Sequence, residues 1–352
     1  MRLLRSGCLV LLLVGATIPA LATEKAGAVA DLELSSPSLE ENIIGIDPVR
    51  RIKIYLPPGY DTSRKSYPVI YYFHSVFWSN RQMFQDGGVQ RLFDRAIAEG
   101  TIPPFVFVAG DFTTPHVGTF FGNSPVSGRW IDHIVDEIVP AIDARFRTIR
   151  TPAGRGLAGD FLGGYAALKL AMMYPDRFSA VYALHPIGTS GGLIPISSRP
   201  DWGKMNRARS WDDLADDGLS QVFMAMAQSY LPNAQRPPFY CDLMVEANGG
   251  TLELDSTHAE RLQSQFLLDR LLPRYAQNLK RLAGIQFDWG RYDVNQDHVA
   301  ANQSFTRRLD DLGVPHYAEE YRGNHYEMNW SEHGRVEDRM LPFFARLLAF
   351  ER

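Results

Sequence analysis

The segment 155–165, Arg-Gly-Leu-Ala-Gly-Asp-Phe-Leu-Gly-Gly-Tyr, constrains the fold of this chain more than any other part of it. It predicts the apolar end of a strand, a tight turn flanked by Gly159 and Gly163, and the start of a helix. A strand that leads directly into a helix is the repeating unit of a mostly parallel sheet that helices cover. A chain with such a fold should show strands and helices in alternation along the rest of its length.

They do alternate, and the pattern predicts an α/β fold: a mostly parallel central sheet with helices on both faces. The run 105–109 is continuously apolar, as expected of a strand buried on both faces. The predicted strands are 51–56, 67–73, 105–109, 156–159, 178–184, 285–289 and 316–321, and the predicted helices are 130–146, 165–173, 304–312 and 340–350.

Residues 186–275 interrupt this alternation with several short helical patterns rich in Pro, Gly, Trp and Met. Long excursions of this kind are often lids or binding loops, so we interpret this one as a cap inserted into a single domain, 41–352. Residues 23–40 are small and polar and are expected to form a flexible leader.

The first residues predict export. Arg2 and Arg5 precede a short apolar run, 9–14, and Ala20-Leu21-Ala22 fits a signal-peptide cleavage site. Cleavage after Ala22 would give a secreted or periplasmic protein with no stable membrane anchor. It would also leave Cys241 as the only cysteine, so no internal disulfide is expected.

The formal net charge of −4 comes from interspersed acidic and basic residues. A nucleic-acid-binding surface would need a basic patch or stripe, so nucleic acid is not an expected partner. His116 and His133 lack a ligand spacing typical of a metal site. We predict no catalytic metal, no cofactor, and a small molecule as the ligand or substrate.

The turn between Gly159 and Gly163 fits the Gly-x-Ser-x-Gly pattern of a nucleophile elbow, except at its centre. Phe161 occupies the position of the serine, and its benzyl side chain cannot attack an acyl carbon. The adjacent Asp160 is a possible carboxylate nucleophile in principle, but only the apex residue of an elbow faces the cleft. A bulky residue at a positive-φ apex costs on the order of 1–3 kcal/mol.

Two loops supply the other members of a catalytic triad in the order expected after an elbow, acid and then histidine. Asp293 follows the strand 285–289, and His325 follows the strand 316–321. The carboxyl ends of strands in an open α/β sheet are where ligands bind. Asp288 and Asp297 are rivals for the acid, but Asp288 falls within the strand, which favours Asp293.

An oxyanion site would use the backbone N–H groups of Val76 and Leu162, which do not depend on the missing serine. Four further residues are candidates for the pocket. Ser75 fits a turn-stabilising hydroxyl, and Asp160 fits local backbone bonding. His74 ends a strand, and His185 is expected either to line the cleft or to pack in the core.

Several motifs together resemble the putative-esterase family of α/β-hydrolases, which includes esterase D, feruloyl esterases, enterochelin esterases and mycolyltransferases. The similar segments are 55–60, 71–74, 123–130, 155–165, 290–293 and 323–325. The resemblance extends from about Arg50 to the C-terminus. It implies that Asp293 is the acid, that His325 is the base, and that Phe161 stands in the nucleophile position.

Three functions follow from this pattern. The first is an exported esterase-like protein that acts on a small ester or acyl compound without a serine, using water activated by His325 and Asp293. The second is a catalytically inactive protein that binds a ligand. The third is a non-hydrolytic lyase or cyclase in which His325 is the acid and base.

Overall fold

A computed structural model describes residues 26–191, 199–326 and 328–351. The predicted signal peptide, residues 1–22, and the first residues of the predicted leader, 23–25, lie outside the described part of the chain. In that part, none of the helices combines the length and the apolar character that a bilayer crossing requires.

Eight strands form one central sheet: β1 (Ala28–Ser35), β2 (Val49–Leu56), β3 (Val69–Phe73), β4 (Val106–Ala109), β5 (Arg155–Asp160), β6 (Ala180–Leu184), β7 (Gly284–Gly290) and β8 (Tyr317–Tyr321). Their order across the sheet is β1-β2-β4-β3-β5-β6-β7-β8. Strands β3 to β8 run parallel to one another, whereas β1 and β2 extend one edge with antiparallel pairings. The predicted α/β class with a mostly parallel sheet is confirmed.

Helices cover both faces of this sheet. The longer ones are α1 (Gly88–Ala98), α2 (Leu162–Met173), α3 (Gly218–Tyr230), α4 (Ser256–Phe266), α5 (Leu268–Leu279) and α6 (Gln296–Asp311). Shorter helical segments are Pro37–Glu40, Asn80–Phe84 and Trp202–Arg207. Two further runs are each continuous: the first consists of Trp130–Asp132, His133–Ile138 and Val139–Arg145, and the second of Val336–Met340 and Leu341–Leu347. Two short hairpins pair Asn123–Ser124 with Gly128–Arg129 and Val245–Asn248 with Thr251–Leu254.

The core lies on the two faces of the sheet because side chains alternate along each strand. In β3, Tyr71 and Phe73 join the cluster beneath α2, whereas Ile70 and Tyr72 face the cluster that includes α1. All four side chains are almost fully buried. Burial on both faces explains why the central strands read as continuous apolar runs.

The prediction of a flexible leader is wrong for residues 28–40, because they form the edge strand β1 and the helix Pro37–Glu40. Cross-strand ion pairs join β1 to β2, with Glu33 to Arg51 at 2.9 Å and Asp31 to Lys53 at 2.7 Å. Only Leu32 among the eight strand residues is buried. An edge strand buries so little apolar surface that its composition resembles that of a loop.

The excursion between β6 and β7 carries α3, α4, α5 and the hairpin 245–254. Residues 192–198 within it lie outside the described residues. The ring of Phe266, at the end of α4, lies 4.6 Å from the ring of Tyr165 on α2. The excursion therefore packs on the helix that begins directly after the Phe161 turn.

Candidate active site

The Phe161 turn has the backbone geometry of a strained apex between β5 and α2. Phe161 has φ 54° and ψ −114°, a combination that L-residues rarely adopt and that costs on the order of 1–3 kcal/mol. Its N–H donates to the Leu184 carbonyl at 2.9 Å, and its carbonyl accepts from the Tyr165 N–H at 3.0 Å. The phenylalanine is thus held in the turn from both sides.

The two flanking glycines show why the turn keeps this shape. A Cβ at Gly163 would lie 1.8 Å from the Phe73 carbonyl oxygen, and one at Gly159 would lie 2.3 Å from the Gly163 carbonyl oxygen. Only glycine permits β3, β5 and α2 to approach this closely. The close contact between backbones fixes the turn whatever side chain stands at its apex.

The structure brings Asp293 and His325 together above the carboxyl ends of the strands. The Nδ1 atom of His325 lies 3.1 Å from Oδ1 of Asp293, and Asp293 is 1% exposed. The N–H of Asn295 also donates to Oδ1, at 2.9 Å. His325 is therefore oriented by the carboxylate that the sequence assigned to it, which leaves the Nε2 atom on the far side of the imidazole ring.

Two more histidines contact the same carboxylate. Oδ2 of Asp293 lies 2.7 Å from Nε2 of His185 and 3.0 Å from Nδ1 of His298. Burial alone would raise the pKa of Asp293, but the hydrogen bonds from His185, His298 and His325 outweigh it and hold the pKa well below its usual range. Asp293 is therefore a fixed negative charge at the centre of three imidazoles.

The protonation of His185 is set by its surroundings. Its Nδ1 accepts the Gly290 N–H at 3.0 Å, so the neutral ring carries its proton on Nε2 and donates it to Asp293. Burial lowers the pKa of His185, against the opposing effect of Asp293. With both nitrogens engaged and 1% exposure, His185 orients the acid and has no nitrogen left for a ligand.

This tautomer also decides whether the cluster can hold a metal ion. Ligand atoms of His185, Asp293 and His298 lie within 4.8 Å of one another, which is compatible with a metal site. A metal at Nε2 of His185 would require the proton on Nδ1, where it would face the Gly290 N–H. The backbone opposes that tautomer, so the donor set of these residues does not fit a metal.

The Phe161 ring lies among the imidazoles, at the apex of the turn. It stacks on His185 at 5.9 Å, meets His298 edge-on at 5.0 Å and lies 5.2 Å from His325. The Tyr326 ring is a further neighbour, at 5.5 Å. The floor of the site is therefore an aromatic surface bordered by nitrogen atoms.

Asp160 and Ser75 lie buried beside this floor. Burial raises the pKa of Asp160 to about 6, and the Tyr72 hydroxyl and Ser75 N–H oppose the rise. Burial likewise raises the pKa of Tyr326, and the Ser75 hydroxyl opposes that rise. Asp160 thus belongs to a polar cluster with Tyr72, Ser75 and Tyr326, next to the apex and not at it.

His74 is engaged elsewhere. Its Nε2 accepts the Phe112 N–H at 3.0 Å, so its Nδ1 donates to the Ser75 carbonyl at 2.9 Å. Burial lowers its pKa to about 4, which keeps the ring neutral. The pocket role suggested for His74 is corrected to support of the turn that carries Ser75 and Val76.

Val76 and Leu162 follow β3 and the apex, respectively, as the oxyanion prediction requires. Among the hydrogen bonds of the described residues, none has the N–H of Val76 or Leu162 as its donor outside regular secondary structure. Leu162 is also the first residue of α2, so its N–H has no partner within the helix. Neither N–H group thus has a hydrogen-bond partner among the described residues, as the oxyanion prediction requires.

The rival acid Asp288 has a structural role. Oδ2 accepts from Arg335 at 2.8 Å and from the Tyr182 hydroxyl at 2.5 Å, and the residue is fully buried. Asp297 lies on the first turn of α6, whereas its neighbour His298 contacts Asp293. Sequence reasoning missed His298; the signal was its position five residues after Asp293, at a helix start.

A model of the putative-esterase family matches residues 46–227. An esterase of Mycobacterium tuberculosis is 29% identical over 291 residues, which cover 78% of this chain and 52% of that protein. The S-formylglutathione hydrolase of Paracoccus denitrificans is 26% identical over 162 residues, which cover 43% of this chain and 54% of that protein. The chain thus spans about half the length of these relatives.

Solved structures agree on the fold. A ferulic acid esterase superimposes with a TM-score of 0.63 at 18% identity, over 92% of this chain and 99% of that one. An S-formylglutathione hydrolase from Agrobacterium tumefaciens gives 0.58 at 15% identity, over 92% and 96%. The fold is that of α/β-hydrolase esterases, and the resemblance drawn from the motifs is confirmed. The chain belongs to the putative-esterase family.

Proposed function

We propose that this protein is an exported hydrolase of small carboxylic esters or thioesters that works without a covalent acyl-enzyme. The observation that carries the proposal is the hydrogen bond of 3.1 Å between His325 and Asp293, beside an apex that holds Phe161. Here the imidazole faces an aromatic ring where a serine hydrolase would have a hydroxyl. Water is then the available nucleophile, and His325 is the base that takes its proton.

The remaining steps use groups already in place. The N–H groups of Val76 and Leu162 would stabilise the oxyanion that forms when water attacks the acyl carbon. The His325 imidazolium, held by Asp293, would then return its proton to the leaving alcohol or thiol. A site without its nucleophile retains only a modest advantage, about 10³–10⁴-fold over water, so turnover should be slow.

The rim of the site favours an apolar or aromatic acyl group. Exposed aromatic residues adjoin three of the functional positions: Phe77 follows Val76, Tyr292 precedes Asp293, and Tyr326 follows His325. These residues are 50%, 55% and 47% exposed, respectively. The names of two sequence relatives, an endo-1,4-β-xylanase/feruloyl esterase and an S-formylglutathione hydrolase, support small acyl compounds as the wider substrate class.

The location of the protein is part of the proposal. The charged and apolar pattern of residues 1–22 supports export, with cleavage after Ala22. N-terminal sequencing of protein recovered from the medium or the periplasm tests it, and a mature chain that still begins at Met1 would contradict it.

A chromogenic ester assay tests the activity. With p-nitrophenyl acetate and butyrate, the wild type should exceed the buffer rate, and His325→Ala should return to it. His258→Ala is the matched control because His258 lies on α4, where its Nδ1 contacts the Leu243 carbonyl. A wild type that binds the ester yet turns over no faster than buffer would instead identify a binding protein.

A further inference from the structure

His298 is the residue of this site that neither the serine-hydrolase pattern nor the proposed ester hydrolysis requires. It lies on the first turn of α6, with Nδ1 3.0 Å from Oδ2 of Asp293. Its side chain is 22% exposed, and its ring lies edge-on to Phe161 at 5.0 Å. It therefore borders the same aromatic floor as His325.

His298 and His325 are oriented alike, and His185 is not. Each of the first two has Nδ1 against an oxygen of Asp293, while no described residue forms a hydrogen bond with its Nε2. His185 engages both of its nitrogens, with Asp293 and the Gly290 N–H. The site thus offers two imidazole nitrogens for proton exchange with a ligand, and the third imidazole only orients the acid.

One carboxylate orients both rings. Asp293 is the common hydrogen-bond partner of His298 and His325, which leaves the Nε2 atom of each ring on the side away from the carboxylate. Two imidazoles that meet the same ligand can act as acid and base, the roles that acid–base enzymes use to move a proton between two ligand atoms.

From this geometry we propose that the site catalyses a keto–enol proton transfer in a small carbonyl compound that carries a planar or aromatic group. One neutral imidazole of the pair removes the proton from the carbon next to the carbonyl, and the electron pair of that C–H bond forms the C=C bond. The carbonyl oxygen takes a proton from the second ring of the pair, which acts as an imidazolium. The reaction therefore needs no oxidant, reductant or water.

The rest of the site suits an enol or enolate. The free N–H groups of Val76 and Leu162 can bind the oxygen on which negative charge develops. The Phe161 ring, which contacts both imidazoles, offers a flat apolar surface to the planar intermediate. With phenylalanine at the apex, no side-chain hydroxyl is present there to attack the carbonyl carbon.

Deuterium exchange in ethyl 2-benzylacetoacetate tests this activity. The probe has one exchangeable proton between two carbonyl groups, an aromatic ring and an ethyl ester. In D₂O, the wild-type protein should remove the α-proton signal in the ¹H NMR spectrum faster than buffer. His298→Gln and His325→Gln should each lower the added rate at least about tenfold, since acid–base groups contribute about 10²–10⁴-fold.

His258→Gln is the matched control for these variants, because it makes the same chemical change on α4 and should leave the exchange rate unchanged. Circular dichroism and urea unfolding verify that each variant is folded; if His298→Gln does not fold, His298→Asn replaces it. Exchange no faster than buffer in the wild type, or exchange that His298 variants leave unaltered, would overturn the inference.

The same spectra separate this inference from the proposed ester hydrolysis. Ethanol release from the probe reports hydrolysis, and loss of the α-proton reports enolisation. Exchange without ethanol supports the proton transfer and contradicts the hydrolase, whereas ethanol without exchange does the reverse.

Discussion

The elbow and the acid loop form the two sides of one site, and they depart from a serine hydrolase in opposite directions. At the elbow the backbone keeps the strained φ of 54°, while the side chain of Phe161 carries no reactive group. At the acid loop the reactive side chains are present, since Asp293 contacts His325 and also two further histidines, His185 and His298. Shape and chemistry are therefore fixed by separate parts of this one site.

The physical reason lies in what each side contacts. The elbow is shaped by backbone atoms that meet at glycine positions, so a change at the apex leaves the turn intact. The acid loop is shaped by side-chain hydrogen bonds to the Asp293 carboxylate. The same contacts therefore hold the loop in place and orient its histidines. Four changes test this contrast.

Phe161→Ser should have the largest effect. If the elbow lacks only its reactive atom, a serine beside His325 should raise p-nitrophenyl acetate hydrolysis by about 10³-fold or more, and a fluorophosphonate should label one site per chain. Phe161→Ala opens the same space without a hydroxyl and should not be labelled. Equal hydrolysis rates in Phe161→Ser and Phe161→Ala would show that a serine hydroxyl at the apex is not enough to make the elbow a nucleophile.

Asp293→Asn should be the most damaging change on the other side. An amide cannot accept from three imidazoles, so the variant should lose about 3–5 kcal/mol of unfolding free energy in urea. Because the pKa of Asp293 is lowered, its stabilisation is present above the pKa of an unfolded aspartate and is lost only in strong acid. Asp311→Asn, an exposed change at the end of α6, is the control. A loss below about 1 kcal/mol would contradict the shared-carboxylate description.

Gly163→Ala tests whether backbone packing fixes the elbow. The added Cβ would overlap the Phe73 carbonyl oxygen at 1.8 Å, so we expect a loss of about 3 kcal/mol in urea unfolding. Gly218→Ala places a Cβ no nearer than 3.8 Å to a neighbour and should change stability by less than about 1 kcal/mol. Similar losses in both variants would count against a special role for the close approach.

Asp160→Asn should have the smallest effect, and one that depends on pH. The pKa of Asp160 is raised to about 6, so the folded protein binds this proton more tightly than the unfolded chain, and stability falls as pH rises from about 4 to 6. The variant should therefore gain up to about 2–3 kcal/mol relative to the wild type between pH 4 and pH 8. Urea unfolding at each pH measures this, with exposed Asp61→Asn as the control; a difference independent of pH would refute the burial argument.

Much of the fold could be predicted because each part of it has a local pattern. Apolar runs in the sequence coincide with strands β2 to β7, and the sequence also predicts β8 just before the loop that carries His325. The edge strand β1 was missed because only Leu32 of its eight residues is buried, and its pairing with β2 depends on residues about 20 positions away. A strand with so little apolar content is recognisable only beside its partner.

Short contiguous motifs are enough to identify the family, to give the order of elbow, Asp293 and His325, and to predict that Phe161 stands in the nucleophile position. The contacts that these residues make depend on the tertiary structure. Three features follow from where separate strands end. His185 and His298 share Asp293 with His325, His74 supports a turn, and Asp288 pairs with Arg335. The sequence alone does not distinguish these histidines. The neighbours of the two ring nitrogens decide whether each one can exchange a proton with a ligand.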